Sequence, residues 1–194
     1  VMVTATITPL PTTPTGTGAS TCGTGSVTLS ATAGAGETID WYSASTGGTL
    51  LSSGSTTYTT PSISTTTSYY AQARNTTTGC TSASRIAVVA TINPLPTTPT
   101  GTGASNCGTG SVTLSATPIA GITIDWYSAS TGGTLLLSGS TSYTTPSISS
   151  TTTYYAQARN STTGCISASR VAVTATITTI PSAPTGTGAS RCGT

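Results

Sequence analysis

The sequence predicts an all-β fold repeated in tandem, and three observations carry that prediction. The chain repeats itself at a constant offset, no segment sustains a helical hydrophobic period, and short alternating runs bounded by Gly, Pro and Ser recur throughout. The repeat is the strongest of the three. Cys22 recurs as Cys107 and Cys192, Cys80 as Cys165, and Trp41 as Trp126, all at the same spacing. Residues 9–93 align with 94–178 with 13 mismatches, which leaves 72 of 85 positions identical. A unit of that size holds one small hydrophobic core and not two. Residues 1–8 (VMVTATIT) match the end of a copy, 86–93 (IAVVATIN), and PSAPTGTGASRCGT at 181–194 matches the start of one. The predicted organisation is the last strand of a preceding repeat at 1–8, full repeats at 9–93 and 94–178, and the start of a following repeat at 179–194. On this reading the chain is a window on a longer array.

The elements of one repeat follow in order. Residues 15–20 make a weak first strand. In 26–32 (SVTLSAT), Val27, Leu29 and Ala31 share one face and hydroxyls the other. In 38–43 (TIDWYS), alternation points Ile39 and Trp41 inward and Asp40 and Tyr42 outward. Gly47 and Gly48 supply the positive φ of a tight hairpin, and 49–52 returns. The run 56–60 (TTYTT) ends at Pro61, which cannot donate to a central ladder. Two longer runs, 67–75 (TSYYAQARN) and 83–92 (ASRIAVVATI), are joined by TTTG. Seven short strands with regularly spaced turns are the signature of an immunoglobulin-like β-sandwich, and the excess of Thr, Val and Ile agrees. The predicted core is Val27, Leu29, Ile39, Trp41, Ala71, Ala73, Val88 and their counterparts in the second copy. Between repeats, PLPTTP at 94–99 favours polyproline II, a semi-rigid spacer of about 3 Å per residue, so the sandwiches are expected to form an elongated array.

Composition narrows the chemistry. Five Arg and three acidic residues are the only charges, and Lys and His are absent. The net charge of +2 is scattered, which gives nucleic acid no basic patch. Catalysis needs a base or a metal, and the candidates reduce to Glu37, Asp40 and Asp125, with Glu37 replaced by Ile122 in the second copy. Hard cations want several carboxylates in one loop, and the Cys spacing fits no zinc pattern. The expectation is no enzyme, no cofactor and no metal. Without Lys, isopeptide crosslinks are also excluded, which leaves Cys as the covalent staple. Gly16, Gly18, Gly23 and Gly25 resemble a phosphate-binding loop, but no helix follows them to supply its anion-binding N-terminus. No apolar run approaches membrane-spanning length, so no membrane insertion is expected in this segment.

The aromatics have two readings. Trp41 with Tyr42, and Trp126 with Tyr127, form either a sugar platform or a core plug with an outward neighbour; alternation favours the plug. Tyr69 and Tyr70, like Tyr154 and Tyr155, are expected to divide into one buried and one exposed ring. Asn75 and Asn160 begin N-x-T sequons at the tip of the last hairpin, as candidate glycosylation sites or as turn residues. Arg74, Arg85 and their equivalents either pair with Asp40 and Asp125 or stay solvated.

Paired cysteines in a small repeated domain suit an oxidising compartment. If successive strands alternate in direction, Cys22 lies between the first two strands and Cys80 between the last two, at the opposite pole. A disulfide needs Cα atoms within about 7 Å. Two schemes stay open: a link from Cys22 to Cys165 across the junction, or links within repeats, from Cys22 to Cys80 and from Cys107 to Cys165. Cys192 is left over in both.

The segments CGTGSVTL at 22–29, WYSASTGGTLL at 41–51, YTTPSI at 58–63, TTSYYA at 66–71 and GCTSASR at 79–85, with their second copies, carry a resemblance. They resemble the Ig-like repeats of Bacteroidota surface proteins, over essentially the whole chain. Such repeats occur as spacers in secreted polysaccharide hydrolases and as long runs in giant adhesins, the gliding-motility adhesin SprB among them. The resemblance implies a structural repeat of an extracellular cell-surface filament or adhesin stalk that bears load and projects a distal binding tip. The alternatives are a spacer in a secreted polysaccharide-degrading enzyme and a weak carbohydrate-binding module. Implied partners are neighbouring repeats, surface polysaccharide and other filaments.

Overall fold

The structure, a computed structural model, describes residue 3 and residues 7–193 of the chain. The expected closing strand at 1–8 therefore lies largely outside the described residues. The described chain is all β, with no helix, and divides into two compact units, Val1–Leu95 and Pro96–Thr194.

In the first unit the strands are β1 (Thr15–Thr17), β2 (Ala19–Cys22), β3 (Thr28–Thr32), β4 (Glu37–Tyr42), β5 (Leu50–Ser52), β6 (Thr57–Thr59), β7 (Thr67–Asn75) and β8 (Ile86–Asn93). They form a three-stranded sheet, β1-β3-β6, and a five-stranded sheet, β2-β8-β7-β4-β5. The second unit repeats this with β9 (Thr100–Thr102), β10 (Ala104–Cys107), β11 (Thr113–Thr117), β12 (Ile122–Tyr127), β13 (Leu135–Leu137), β14 (Ser142–Thr144), β15 (Thr152–Asn160) and β16 (Val171–Thr178). Its sheets are β14-β11-β9 and β10-β16-β15-β12-β13. Residues 179–193 carry no strand.

Each unit thus has eight strands where the sequence predicts seven. The added strand comes from a break in the first one. β1 runs antiparallel to β3 in one sheet, and after Gly18 the chain crosses over and β2 runs parallel to β8 in the other. Gly18 permits the crossing because its backbone lies against Val89: a Cβ there would sit 2.5 Å from the Val89 carbonyl oxygen. Gly103 occupies the same place against Thr174. A run of small polar residues shows no alternation at this switch.

The β4–β5 hairpin turns on Gly47 and Gly48, at φ of 61° and 71°, and Gly132 and Gly133 repeat it at 59° and 68°. Register shifts between Trp41 and Tyr42 as β4 meets β5, the irregularity that lets a three-residue strand close the sheet edge.

The core of the first unit comprises Val27, Leu29, Ala31, Ile39, Trp41, Tyr69, Ala71, Ala73, Val88 and Ala90. The second unit's core is the same set one repeat further on, with Tyr143 added. Period-two alternation places these side chains between the two sheets, and Ala71 and Ala73 on β7 leave room for Trp41 and Ile39 beside them.

Candidate functional site

Trp41 is fully buried at the centre of its sandwich. Its indole Nε1–H donates to the Ser55 carbonyl at 2.9 Å, and its ring stacks on Tyr58 at 5.8 Å between centroids. Tyr58 in turn meets Tyr69 at 5.2 Å. Trp126, Ser140, Tyr143 and Tyr154 repeat the ladder at nearly the same distances. Burial raises the hydroxyl pKa of Tyr69 and of Tyr143, with smaller contributions from Tyr58 and Tyr154. Tyr70 and Tyr155, the neighbours in each pair, are half-buried. Tyr58 and Tyr143 were missed from the sequence, although their place in an alternating TYT run was the signal that points them inward.

The outward side of β4 carries a second assembly. Asp40 faces away from the core, yet it is only 4% exposed, a departure from the solvent-facing position alternation gives it. The cover comes from its neighbours: Arg74 Nε donates to Asp40 Oδ2 at 2.7 Å, while the Ser53 hydroxyl and the Gly54 N–H donate to Oδ1. Burial alone would raise the Asp40 carboxyl pKa. The hydrogen bonds from Arg74, Ser53 and Gly54, with the Arg74 charge, outweigh it and hold the group below the ordinary carboxylate value. Asp125, Arg159, Ser138 and Gly139 form the same cluster in the second repeat, with the same direction of shift.

Beside this pair, Arg85 lies flat over Tyr42, 3.3 Å from the ring centroid. Its Nη1 donates to the Ala44 and Gly47 carbonyls and its Nε to Gln72 Oε1. The guanidinium therefore clamps the glycine hairpin to β7 and covers the ring that a sugar platform would need to expose. Arg170 does the same over Tyr127. Aromatic faces and charges that looked available in the sequence are engaged inside their own repeat.

Asn75 Oδ1 accepts from the N–H groups of Thr77 and Thr78, and Asn160 Oδ1 from Thr162 and Thr163. Both residues shape the turn after the long strand, and Nδ2 is left over as the atom a glycan would use. Glu37 Oε2 accepts from Gly34 N, a turn contact that has no equivalent at Ile122. No cluster of three or more metal-ligating side chains occurs among the described residues. At the strand switch, an open groove of about 410 Å³ is lined by Gly16, Gly18, Ala19, Ser20 and Val88, with no charged or aromatic group. Among the described residues no helix is long and apolar enough to cross a membrane.

The cysteines occupy opposite poles of each repeat. Cys22 closes β2 beside Asn93, the last residue of β8. Cys80 lies past the other end of β7, where its carbonyl accepts from Asn75 N. The nine residues of β7 separate the two poles, roughly 25 Å or more at about 3.3 Å per residue. Cys107 and Cys165 stand in the same relation. Pairing within a repeat is therefore closed by geometry. Cys80, Cys107 and Cys192 are free thiols, whereas Cys22 and Cys165 are disulfide-bonded. Hydrogen bonding to Thr78 and Thr8 holds the Cys80 thiol below its ordinary pKa.

Two tandem all-β sandwiches of immunoglobulin-like type are thus what the chain folds into. Residues 11–94 and 96–178 match the family model described as Ig-like domain, CHU_C associated, and the chain belongs to that family. A search of curated proteins finds no match. Among solved structures, the fibronectin(III)-like modules of Clostridium thermocellum CbhA are similar at 14% identity and a TM-score of 0.47, over 84% of this chain and 90% of that one. Titin domains A168–A170 are similar at 13% identity and a TM-score of 0.48, over 84% and 62%.

Proposed function

We propose that the chain is a structural repeat segment of an extracellular filament or adhesin stalk at the cell surface. It bears load and carries a binding tip formed elsewhere in the parent protein. The observation that supports this is the internal use of chemistry. Arg74, Asp40, Arg85, Arg159, Asp125 and Arg170 are all consumed in holding each sandwich together, and the device is copied almost unchanged from the first repeat to the second. A binding or catalytic module concentrates such groups at a cleft; a stalk spends them on rigidity. The Ser- and Thr-rich remainder stays hydrated without charge, a surface suited to the cell exterior.

The test is surface labelling of intact source cells with antibody against one repeat, beside fractionation of the medium. The expected result is labelling on unpermeabilised cells, lost on protease shaving. Recovery of the repeat only in the medium, joined to a hydrolase domain, would overturn the stalk in favour of an enzyme spacer. Specific retention of the isolated chain on a glycan array would favour a carbohydrate-binding module.

A further inference from the structure

The clue is where the chain enters and leaves a single repeat. In the first unit it enters beside the start of β8. Pro11 and Pro14 are buried there, and Thr13 Oγ1 lies 2.7 Å from the hydroxyl of Ser84, just ahead of β8. The chain leaves at Asn93, the last residue of β8. Entry and exit therefore stand at opposite ends of this strand, roughly 26 Å apart at about 3.3 Å per residue. The second unit keeps the arrangement, with Thr98 2.7 Å from Ser169 at the start of β16 and the exit at Thr178. Tension between entry and exit runs along β8, and the strand beside it runs the same way. β2 is parallel to β8, from Ala19 opposite Ala90 to Cys22 opposite Asn93, and Gly23 N donates to the Asn93 carbonyl at 2.8 Å. Drawing the entry one way and the exit the other slides β2 along β8 and loads all their hydrogen bonds together. A pair pulled apart from one end would instead open one bond at a time. β1 adds a second grip, because it pairs with β3 in the other sheet. The break at Gly18 thus gives the entering chain a hold on both sheets.

We propose that β2 with β8, and β10 with β16, form a mechanical clamp inside each repeat. It is a parallel strand pair loaded in shear, which must slip before tension reaches the core behind it. The inference rests on the reading of the chain as a stalk that bears load, and it names the element that meets the load first. Four register pairs make up each clamp. The second repeat matches the first at its end, where Gly108 N donates to the Thr178 carbonyl at 2.8 Å. The register also says which backbone groups do the holding. N–H groups alternate sides along a strand. Since Gly23 N points toward β8, those of Ala19 and Thr21 do as well, while that of Ser20 points away. β2 is an edge of its sheet, so the Ser20 side is the outer one.

The test is single-molecule pulling of the full chain through peptide tags at both ends, under reductant. Substitutions are confined to the first repeat, so the second serves as the internal reference. Thr21→Pro removes an N–H that faces β8. Ser20→Pro places the same ring where the N–H faces away from the ladder, and Thr21→Ala changes the side chain alone. In Thr21→Pro, one of the two unfolding steps is expected at half the parent force or less, with the other unchanged. Ser20→Pro and Thr21→Ala are expected to keep the parent pattern. Parent forces in Thr21→Pro overturn the proposal, as does an equal drop in either control. The parent chain supplies a readout that does not depend on how the variants fold. The dependence of its unfolding force on pulling speed gives the stretch at which a repeat yields. A clamp that slips is expected to yield within about 3.3 Å, the rise of one residue, whereas peeling frees about 6.6 Å for each pair opened. A yield length of about 6 Å or more overturns the proposal too. Those results would leave the stalk reading standing, and absence from the cell surface would leave the clamp standing, so the two failures are distinguishable.

Discussion

At the scale of single residues, the deciding comparison is between Trp126 and Asp125, adjacent on β12 and both nearly inaccessible. Trp126 is buried because it faces the core; Asp125 is buried because Arg159 and Ser138 close over it from outside. Trp126→Ala is expected to cost about 3–5 kcal/mol, the penalty of deleting a buried aromatic, and chemical denaturation followed by circular dichroism measures it, with the fluorescence of Trp41 reporting on the unaltered first repeat. Asp125→Asn is expected to cost about 1–3 kcal/mol near neutral pH, because it removes a charge-assisted pair while leaving Oδ1 to accept from Ser138 and Gly139. The pH dependence has a fixed sign. A carboxylate whose folded pKa is depressed stabilises above its unfolded value, and loses that contribution as pH falls from about 3.9 through the lower folded value. Urea titrations of both proteins from about pH 7 to about pH 2 should show their stability gap closing in that acid window. A gap that stays constant to the lowest pH would show that the ionised pair is not its source.

At the scale of elements, the switch between β9 and β10 is the part of the fold most exposed to a single methyl group. A Cβ on Gly103 would lie 2.5 Å from the Thr174 carbonyl oxygen, so the backbone rather than a flexible side chain would have to move. Gly103→Ala is expected to destabilise the second repeat by about 1–3 kcal/mol. Gly188 sits in the same local sequence, TGTGAS, with nothing within 4 Å, and its Ala variant is the matched control expected to melt like the parent. Equal melting temperatures for both variants would show that the crossing tolerates a side chain. This element also marks the limit of what the sequence discloses. β7 was legible to the residue, because TSYYAQARN alternates and ends at a turn. The Trp strand was legible for the same reason, and the hairpin because only glycine suits two successive positive φ values. The strand switch was not, since PTGTGAS has no apolar alternation to assign it to a face. The Asp40–Arg74 pair is one of the two readings the sequence leaves open, but the burial of Asp40 is not legible: an outward position gives no sign that Ser53 and Gly54 will join Arg74 in covering it. The cysteine poles could be placed by strand parity, but the contact of Thr8 with Cys80 emerges only from the structure.

At the scale of the whole chain, the two copies are expected to behave as two nearly equal elements. They are identical at 72 of 85 positions and repeat the same core and the same Asp–Arg pair. Each copy of 85 residues holds roughly 290 Å of fully extended chain, at about 3.3–3.6 Å per residue. Single-molecule pulling through peptide tags at both ends, under reductant, should therefore release two steps of nearly equal length. A single step of twice that length would mean that the copies unfold as one, and that the core of each sandwich is not what resists the load.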